Sequence, residues 1–286
     1  PAVRIRAAQA LAHVGIPRAE LLQILVELLQ DEHDDVHHAA GELFMLVRPR
    51  EATVPHLTRL IEGEDVATVL RAAHLLSRFD GVAKSAVPAL VKATARLGEQ
   101  DAQAVLPKAL GVIGESAVED IIAGLAASQY PETTLRRYVD ALILIGPDAI
   151  SSLANALSHN SPQVRSGAVL TLGTSGKSAG HLVPKIITLL DDDDAFVRAS
   201  AAEALGKLGP AARAAAPILA RKLNDKVSRV RAAAVGGLGK TAGDDVTYAA
   251  LFASALNADD ASVRIAATRV LRDRKSTRLN SSHVKR

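Results

Sequence analysis

The stretch Val197-Arg198-Ala199-Ser200-Ala201-Ala202-Glu203-Ala204-Leu205-Gly206-Lys207-Leu208-Gly209 decides the reading of this chain. Its apolar residues fall at i, i+3, i+4 and i+7, which is one face of a helix. The same string recurs. Val164-Arg165 leads to Leu172-Gly173, Val230-Arg231 to Leu238-Gly239, Val263-Arg264 to Leu271 and Val3-Arg4 to Leu11, with Leu seven residues after Arg each time. Weaker copies carry His37, Val69, Gln103 and Leu135 at the Arg position. The nine anchors, 4, 37, 69, 103, 135, 165, 198, 231 and 264, are separated by 33, 32, 34, 32, 30, 33, 33 and 33 residues. Self-similarity that holds phase over a whole chain is the signature of a stacked repeat.

Each unit reads as two helices. The first often closes at Gly, as at Gly15, Gly114, Gly146 and Gly209, where a left-handed cap is accessible. Ser161-Pro162 and Asp194 stand where an N-cap is wanted. The second helix starts at a Pro held at fixed offset. Pro55, Pro88, Pro184 and Pro217 lie 18, 19, 19 and 19 residues past their anchors, with Leu57, Leu90, Ile186 and Leu219 two residues further on. One hairpin cannot bury its own apolar face, but stacked neighbours can. The expectation is an all-α solenoid, a right-handed superhelix of antiparallel helix pairs. Its first helices lie outside and its second helices line the inner surface.

Composition agrees. Hydrophobic residues make up 48% and charged ones 23%, which excludes a disordered chain. Aromatics are only 2%, so the core relies on Ala, Leu, Val and Ile, whose size lets helices approach closely. The absence of Cys removes disulfides, thiolate catalysis and thiolate metal sites, and leaves the compartment open. No apolar run reads as a membrane span.

The pattern of acidic turn, Val-Arg, Ala-Ala, Ala-Leu-Gly, then Val-Pro and Leu-Leu resembles a HEAT repeat, and the period resembles the short, phycobilisome-lyase-like bacterial type. Residues 159–271 carry the resemblance best and 63–158 more loosely. It implies that Arg165, Arg198, Arg231 and Arg264 form an inter-repeat ladder with acidic turn residues such as Asp193, Asp225 and Asp259. Repeats two to five lack that Arg stack and are expected to be less regular. The run Asp191 to Asp194 reads as a solvated capping turn, because four successive carboxylates cannot converge on one ion.

Catalytic readings lose their residues. His33, His37 and His38 are the densest group of metal-ligand types, but His33 falls in a turn, so no i, i+4 helical pair forms. HEAT-like hydroxylases carry His-Glu pairs, and no His here precedes Glu. Ser175 in Gly173-Thr174-Ser175-Gly176-Lys177 lacks the spacing of a phosphate loop. No metal or cofactor is implied.

The formal charge of +3 also misleads. Residues 274–286 hold five basic and no acidic residues, break the repeat and resemble a translated adapter or vector remnant; they read as a non-native or disordered tail. Without them 29 basic residues face 31 acidic ones, a net of −2, which argues against nucleic acid. The solenoid is assigned to 1–273, as eight helix pairs and one unpaired helix, a piece of a longer array. Self-association is expected through its uncapped C-terminal end, with apolar surface near Leu256 and Val270. Arg59, Lys92 and Arg221 each lie four residues past a helix-starting Pro, with Arg96, Lys185 and Lys222 nearby. These six are the candidate contact residues for a protein or peptide partner. The reading is a non-catalytic protein-interaction scaffold. The alternatives are a HEAT-like module of a modifying enzyme, as in the bilin lyases, and nucleic-acid binding along the same groove.

Overall fold

The computed structural model describes residues 1–14, 16–97, 102–127, 132–243 and 245–283. Gly15, expected to end the first helix, lies outside them. The described chain is all α-helix and 3-10 turn, with no strand. It divides into two compact units, Pro1–Ala149 and Ile150–Arg286.

In the first unit the helices are α1 (Ala2–Val14), α2 (Arg18–Leu29), α3 (Asp34–Leu46), α4 (Val54–Ile61), α5 (Val66–Leu76), α6 (Val87–Arg96), α7 (Ala102–Ile113), α8 (Val118–Ala127) and α9 (Glu132–Ile145). Odd-numbered helices stack on one another as one layer, and even-numbered helices form the second. The pairs α1 and α2, α2 and α3, α4 and α5, α6 and α7, and α8 and α9 also pack across the layers, so the core lies between them. The second unit continues with α10 (Ile150–Ala156), α11 (Pro162–Thr174), α12 (Val183–Thr188), α13 (Ala195–Leu208), α14 (Ala216–Lys222), α15 (Ser228–Thr241), α16 (Ala249–Leu256) and α17 (Ala261–His283). There α11, α13, α15 and α17 make the continuous layer, and α10, α12, α14 and α16 each pack against the first helix that follows. Side chains past Asp273 are outside the description.

The boundaries follow the punctuation of the sequence. Pro55, Pro88, Pro184 and Pro217 occupy the first turn of α4, α6, α12 and α14, where an amide proton would have no partner. Leu57, Leu90, Ile186 and Leu219, two residues on, are completely buried, each contributing on the order of 2 kcal/mol. Asp194 caps α13 by accepting from the amides of Phe196 (2.8 Å) and Val197 (3.1 Å). Gly146 takes φ +75° between α9 and the 3-10 turn that leads into α10. Glu132–Ala156 is long and apolar enough to cross a membrane by length and composition, contrary to the expectation from apolar runs alone. It is instead two helices broken at Gly146, and Tyr138, Leu142, Ile145 and Leu153 are buried in the repeat core.

Small residues set how closely the first helices approach. A Cβ on Gly173 of α11 would sit 2.6 Å from the Ala204 Cα of α13. A Cβ on Gly206 would sit 2.9 Å from the Gly237 Cα of α15, and one on Gly237 only 2.5 Å from the Ala202 carbonyl oxygen. The obstacle at Gly237 is backbone, which cannot rotate away. In the first unit the pattern is looser: Pro107 stands inside α7 and removes one helical hydrogen bond.

Gly237→Ala is therefore expected to lose stability, although Ala is the better helix former by about 1 kcal/mol. Overpacking of about 1–3 kcal/mol should win, and a lower urea midpoint for the variant checks it.

Candidate functional site

Each recurring Arg of the second unit sits in the first turn of a first helix, where its side chain reaches back over the preceding turn, and those of Arg165 and Arg198 also reach forward to the next. Arg165 Nε and Nη2 grip Asp192 Oδ2 (2.7 Å) and Oδ1 (2.8 Å), while its Nη1 donates to the carbonyls of His159 (2.8 Å) and Asn160 (2.9 Å). Arg198 repeats this on Asp225 Oδ2 (2.9 Å) and Oδ1 (3.0 Å), with Nη1 on the carbonyls of Asp192 (2.9 Å) and Asp193 (3.1 Å). Arg and Asp are 27 residues apart in both. The paired, planar fork on a carboxylate is the strong geometry for this ion pair, and both pairs are largely shielded from solvent.

The ladder differs from its sequence form in two members. The rung carboxylate is Asp192, whereas Asp193 offers only its carbonyl and leaves its side chain exposed. Asp259 likewise offers its carbonyl, to Arg264 Nη1 (2.7 Å), and its carboxylate is exposed. The two-residue offset follows from the turn: the carboxylate that reaches Arg must also accept the amide two residues on, as Asp192 does from Asp194 (2.9 Å) and Asp225 from Val227 (2.9 Å). The run Asp191 to Asp194 thus divides its labour. Asp191 pairs with Lys222 (2.7 Å), Asp192 is a rung, Asp193 lends a carbonyl and Asp194 caps α13.

The first unit opens with the same spacing, Arg4 pairing with Asp31. Further along, other arginines take over, and the sequence reading missed them. Arg71 Nη1 donates to the carbonyls of Leu29 (3.1 Å) and Asp31 (3.3 Å). Arg137, almost wholly buried, donates from Nη1 to the Leu97 carbonyl and from Nη2 to Thr134 Oγ1 (3.3 Å). Burial pushes its pKa down from the usual value, with Tyr138 acting the other way. Arg71 and Arg137 share one register, two residues after an anchor. That shared offset is the available signal, and it lies two residues away from the position at which Arg recurs in the other repeats.

The six candidate contact residues separate into two kinds. Arg59, Lys92 and Arg221 are exposed, and no hydrogen bond or ion pair engages them among the described residues. Arg96, Lys185 and Lys222 instead tie second helices to the repeat before: Arg96 Nη2 to the Ile61 carbonyl (3.0 Å), Lys185 Nζ to the Ala154 carbonyl (3.1 Å) and Lys222 Nζ to Asp191. Arg59 and Lys92 belong to the first unit and Arg221 to the second.

Chemical groups do not converge. Among the described residues no cluster of three or more His, Asp or Glu could hold a metal. His33 is the N-cap residue of α3 with extended backbone, so it cannot share a helical face with His37. His38 stands on α3 beside them, and Ser175 closes α11 before a 3-10 turn. Near the end of the second unit Leu256 is exposed as expected, and Leu251 and Ile265 are exposed as well. Val270 is not exposed: it is packed against α15, where a Cβ on Gly239 would come within 2.6 Å of its methyl groups. A groove of about 730 Å³ lies between α15 and α17, lined by Ala232, Gly236, Lys240, Ile265 and Arg269 among others.

The family model described as HEAT repeats matches residues 118–206, 150–235 and 183–272, together more than half of the chain. No curated protein matches the sequence. Among solved structures, Kap121p bound to Nup53p superposes with a TM-score of 0.61 at 14% identity, over 93% of this chain and 35% of that one. Kap95p, in a structure describing its effect on the switch loops of RanGDP, superposes with a TM-score of 0.52 at 15% identity, over 89% of this chain and 35% of that one. The chain thus spans about a third of the length of these structures, and the likeness is one of fold.

The rungs make stability depend on pH. Burial opposes ionisation of Asp192 and Asp225 more than any other single influence, yet the arginine and amide hydrogen bonds and the guanidinium charges together outweigh it. Both carboxyls titrate below the usual Asp range. A depressed folded pKa contributes stability that is present above the unfolded value of about 3.9 and is lost as pH falls through the folded value. Wild type should therefore exceed Asp225→Asn in urea midpoint at pH 7, and the gap should shrink below about pH 4. A gap unchanged down to pH 2.5 would contradict this assignment.

Proposed function

Because the chain belongs to the HEAT-repeat family, we propose that it is a non-catalytic scaffold that holds a protein or peptide partner on its second-helix layer. We read the period near 33 residues as favouring the short, phycobilisome-lyase-like kind of repeat. The observation that carries the functional reading is the division among the cations. The arginines of the rungs are engaged by turns of neighbouring repeats, and Arg96, Lys185 and Lys222 by the second helices. Arg59, Lys92 and Arg221 alone among the candidates present exposed, unengaged charge at one repeated position, four residues after the helix-starting Pro.

A charge held at that register on α4 and α6 of the first unit, and on α14 of the second, suits acidic side chains of a partner. Rim charges of this sort act mainly on association rate and specificity. The solved structures of similar fold support a protein ligand: Kap121p is bound to Nup53p in one and Kap95p to Nup1 in another, the latter with a TM-score of 0.52. Aromatic residues, which stack on nucleic-acid bases, are only 2% of the chain, and this favours protein over single-stranded nucleic acid.

The test is a pulldown with the full chain and with a variant carrying Arg59→Glu, Lys92→Glu and Arg221→Glu. A specific protein partner should be recovered by the wild type and lost by the variant, with circular dichroism and Tm of the variant unchanged. Retention of that partner by the reversed variant would refute the assignment of the face.

A further inference from the structure

The rung ladder has one position whose backbone is intact and whose carboxylate is missing. Counting 27 residues on from Arg165 and Arg198 gives Asp192 and Asp225; counting on from Arg231 gives Ala258. The turn around Ala258 is built as in the filled rungs. The Ala258 amide donates to the Ala255 carbonyl (3.4 Å), as Asp192 does to Leu189 (3.3 Å) and Asp225 to Lys222 (3.1 Å). The Ala258 carbonyl accepts from Arg264 Nη1 (2.7 Å), as the Asp192 carbonyl does from Arg198 and the Asp225 carbonyl from Arg231 (2.9 Å each).

Arg231 is held in the ladder orientation. Its Nη1 is fixed by the carbonyls of Asp225 (2.9 Å) and Lys226 (3.3 Å), and the residue is half-buried. In Arg165 and Arg198 the remaining edge, Nε with Nη2, carries the carboxylate. In Arg231 that edge meets no acceptor among the described residues. The third donor of a filled rung is the amide two residues beyond the Asp, and at the open rung this register belongs to Asp260. We propose that the open rung at Ala258 is a binding site for a carboxylate, gripped by Arg231 Nε and Nη2 and by the Asp260 amide.

The chemistry is specific to that ligand class. A guanidinium edge matches the two oxygens of a carboxylate in one plane. Replacing Asp by Ala keeps the β-carbon and removes the carboxylate, and the carboxylate of a small acid supplies the group that was removed. The acidic neighbours do not forbid an anion, since Asp193 and Asp194 flank the filled rung at Asp192 in the same way. The Asp260 carboxylate is already engaged, accepting from the Ser262 amide (2.8 Å) and hydroxyl (2.6 Å). The ligand's source is either a Glu or Asp side chain of a partner or a small free carboxylate. The site does not depend on the scaffold reading, because its donors lie in the turn layer of the second unit.

The experiment uses the full chain with nitrogen-15-labelled arginine. Sodium acetate, sodium chloride at equal ionic strength, and an end-blocked peptide with a single Glu are titrated separately while the Arg231 Nε–H resonance is followed. The wild type should show a saturable shift with acetate and no matching shift with chloride. In Ala258→Asp the chain's own carboxylate fills the rung, so acetate affinity should fall at least about ten-fold and Tm should rise. A lower midpoint for the peptide than for acetate assigns the site to a macromolecular partner, and equal midpoints assign it to free carboxylates. An Arg231 resonance that does not respond in the wild type, responds equally to chloride, or responds equally in Ala258→Asp overturns the proposal.

Discussion

The bidentate grip of Arg198 on Asp225 is the interaction on which the order of the second unit turns. A single hairpin here has too few large side chains to form a core by itself, so stability comes from contact between neighbours. Close approach through Gly173, Gly206 and Gly237 brings the first-helix backbones together, but small residues interlock weakly and do not specify register. The rung does. One guanidinium joins the carbonyls of the turn before it to the carboxylate of the turn after it, so three successive segments share a single planar group. Its two sets of partners exist together only when neighbouring repeats are in register.

The same device constrains where a partner can act. Arginines that look available in the sequence are consumed in holding one repeat to the next. Of the six candidate cations on the second helices, Arg59, Lys92 and Arg221 are the ones whose side chains serve no turn, and our proposal places ligand contact there. The fold itself does not choose a ligand, since stacked helix pairs of this kind support many.

Much of the fold was legible because its causes are local. Pro55, Pro88, Pro184 and Pro217 mark helix starts, Gly146 and Gly209 mark ends, and Leu57 and Leu219 are buried where the spacing put them. The rungs were legible only in outline. Arg165 and Arg198 announced themselves by repetition, but the choice of Asp192 over Asp193 depends on which carboxylate can also accept an amide two residues on, and that is turn geometry. Arg71 and Arg137 escaped notice because they reach carbonyls some forty residues back, across a distance that side-chain spacing does not reveal. Val270 read as exposed because its burial depends on Gly239 of the preceding first helix. Arg96, Lys185 and Lys222 read as ligand contacts for the same reason: their partners belong to another repeat.

The most direct test of the rung as the coupling element is a double-mutant cycle on Arg198→Ala and Asp225→Ala, followed by urea unfolding. Linked residues in one network show interaction energies of about 0.5–3 kcal/mol, and this shielded bidentate pair should fall in the upper half of that range. Single-mutant losses that add to within about 0.3 kcal/mol would mean that the two side chains stabilise the protein independently, and that register is set by packing alone.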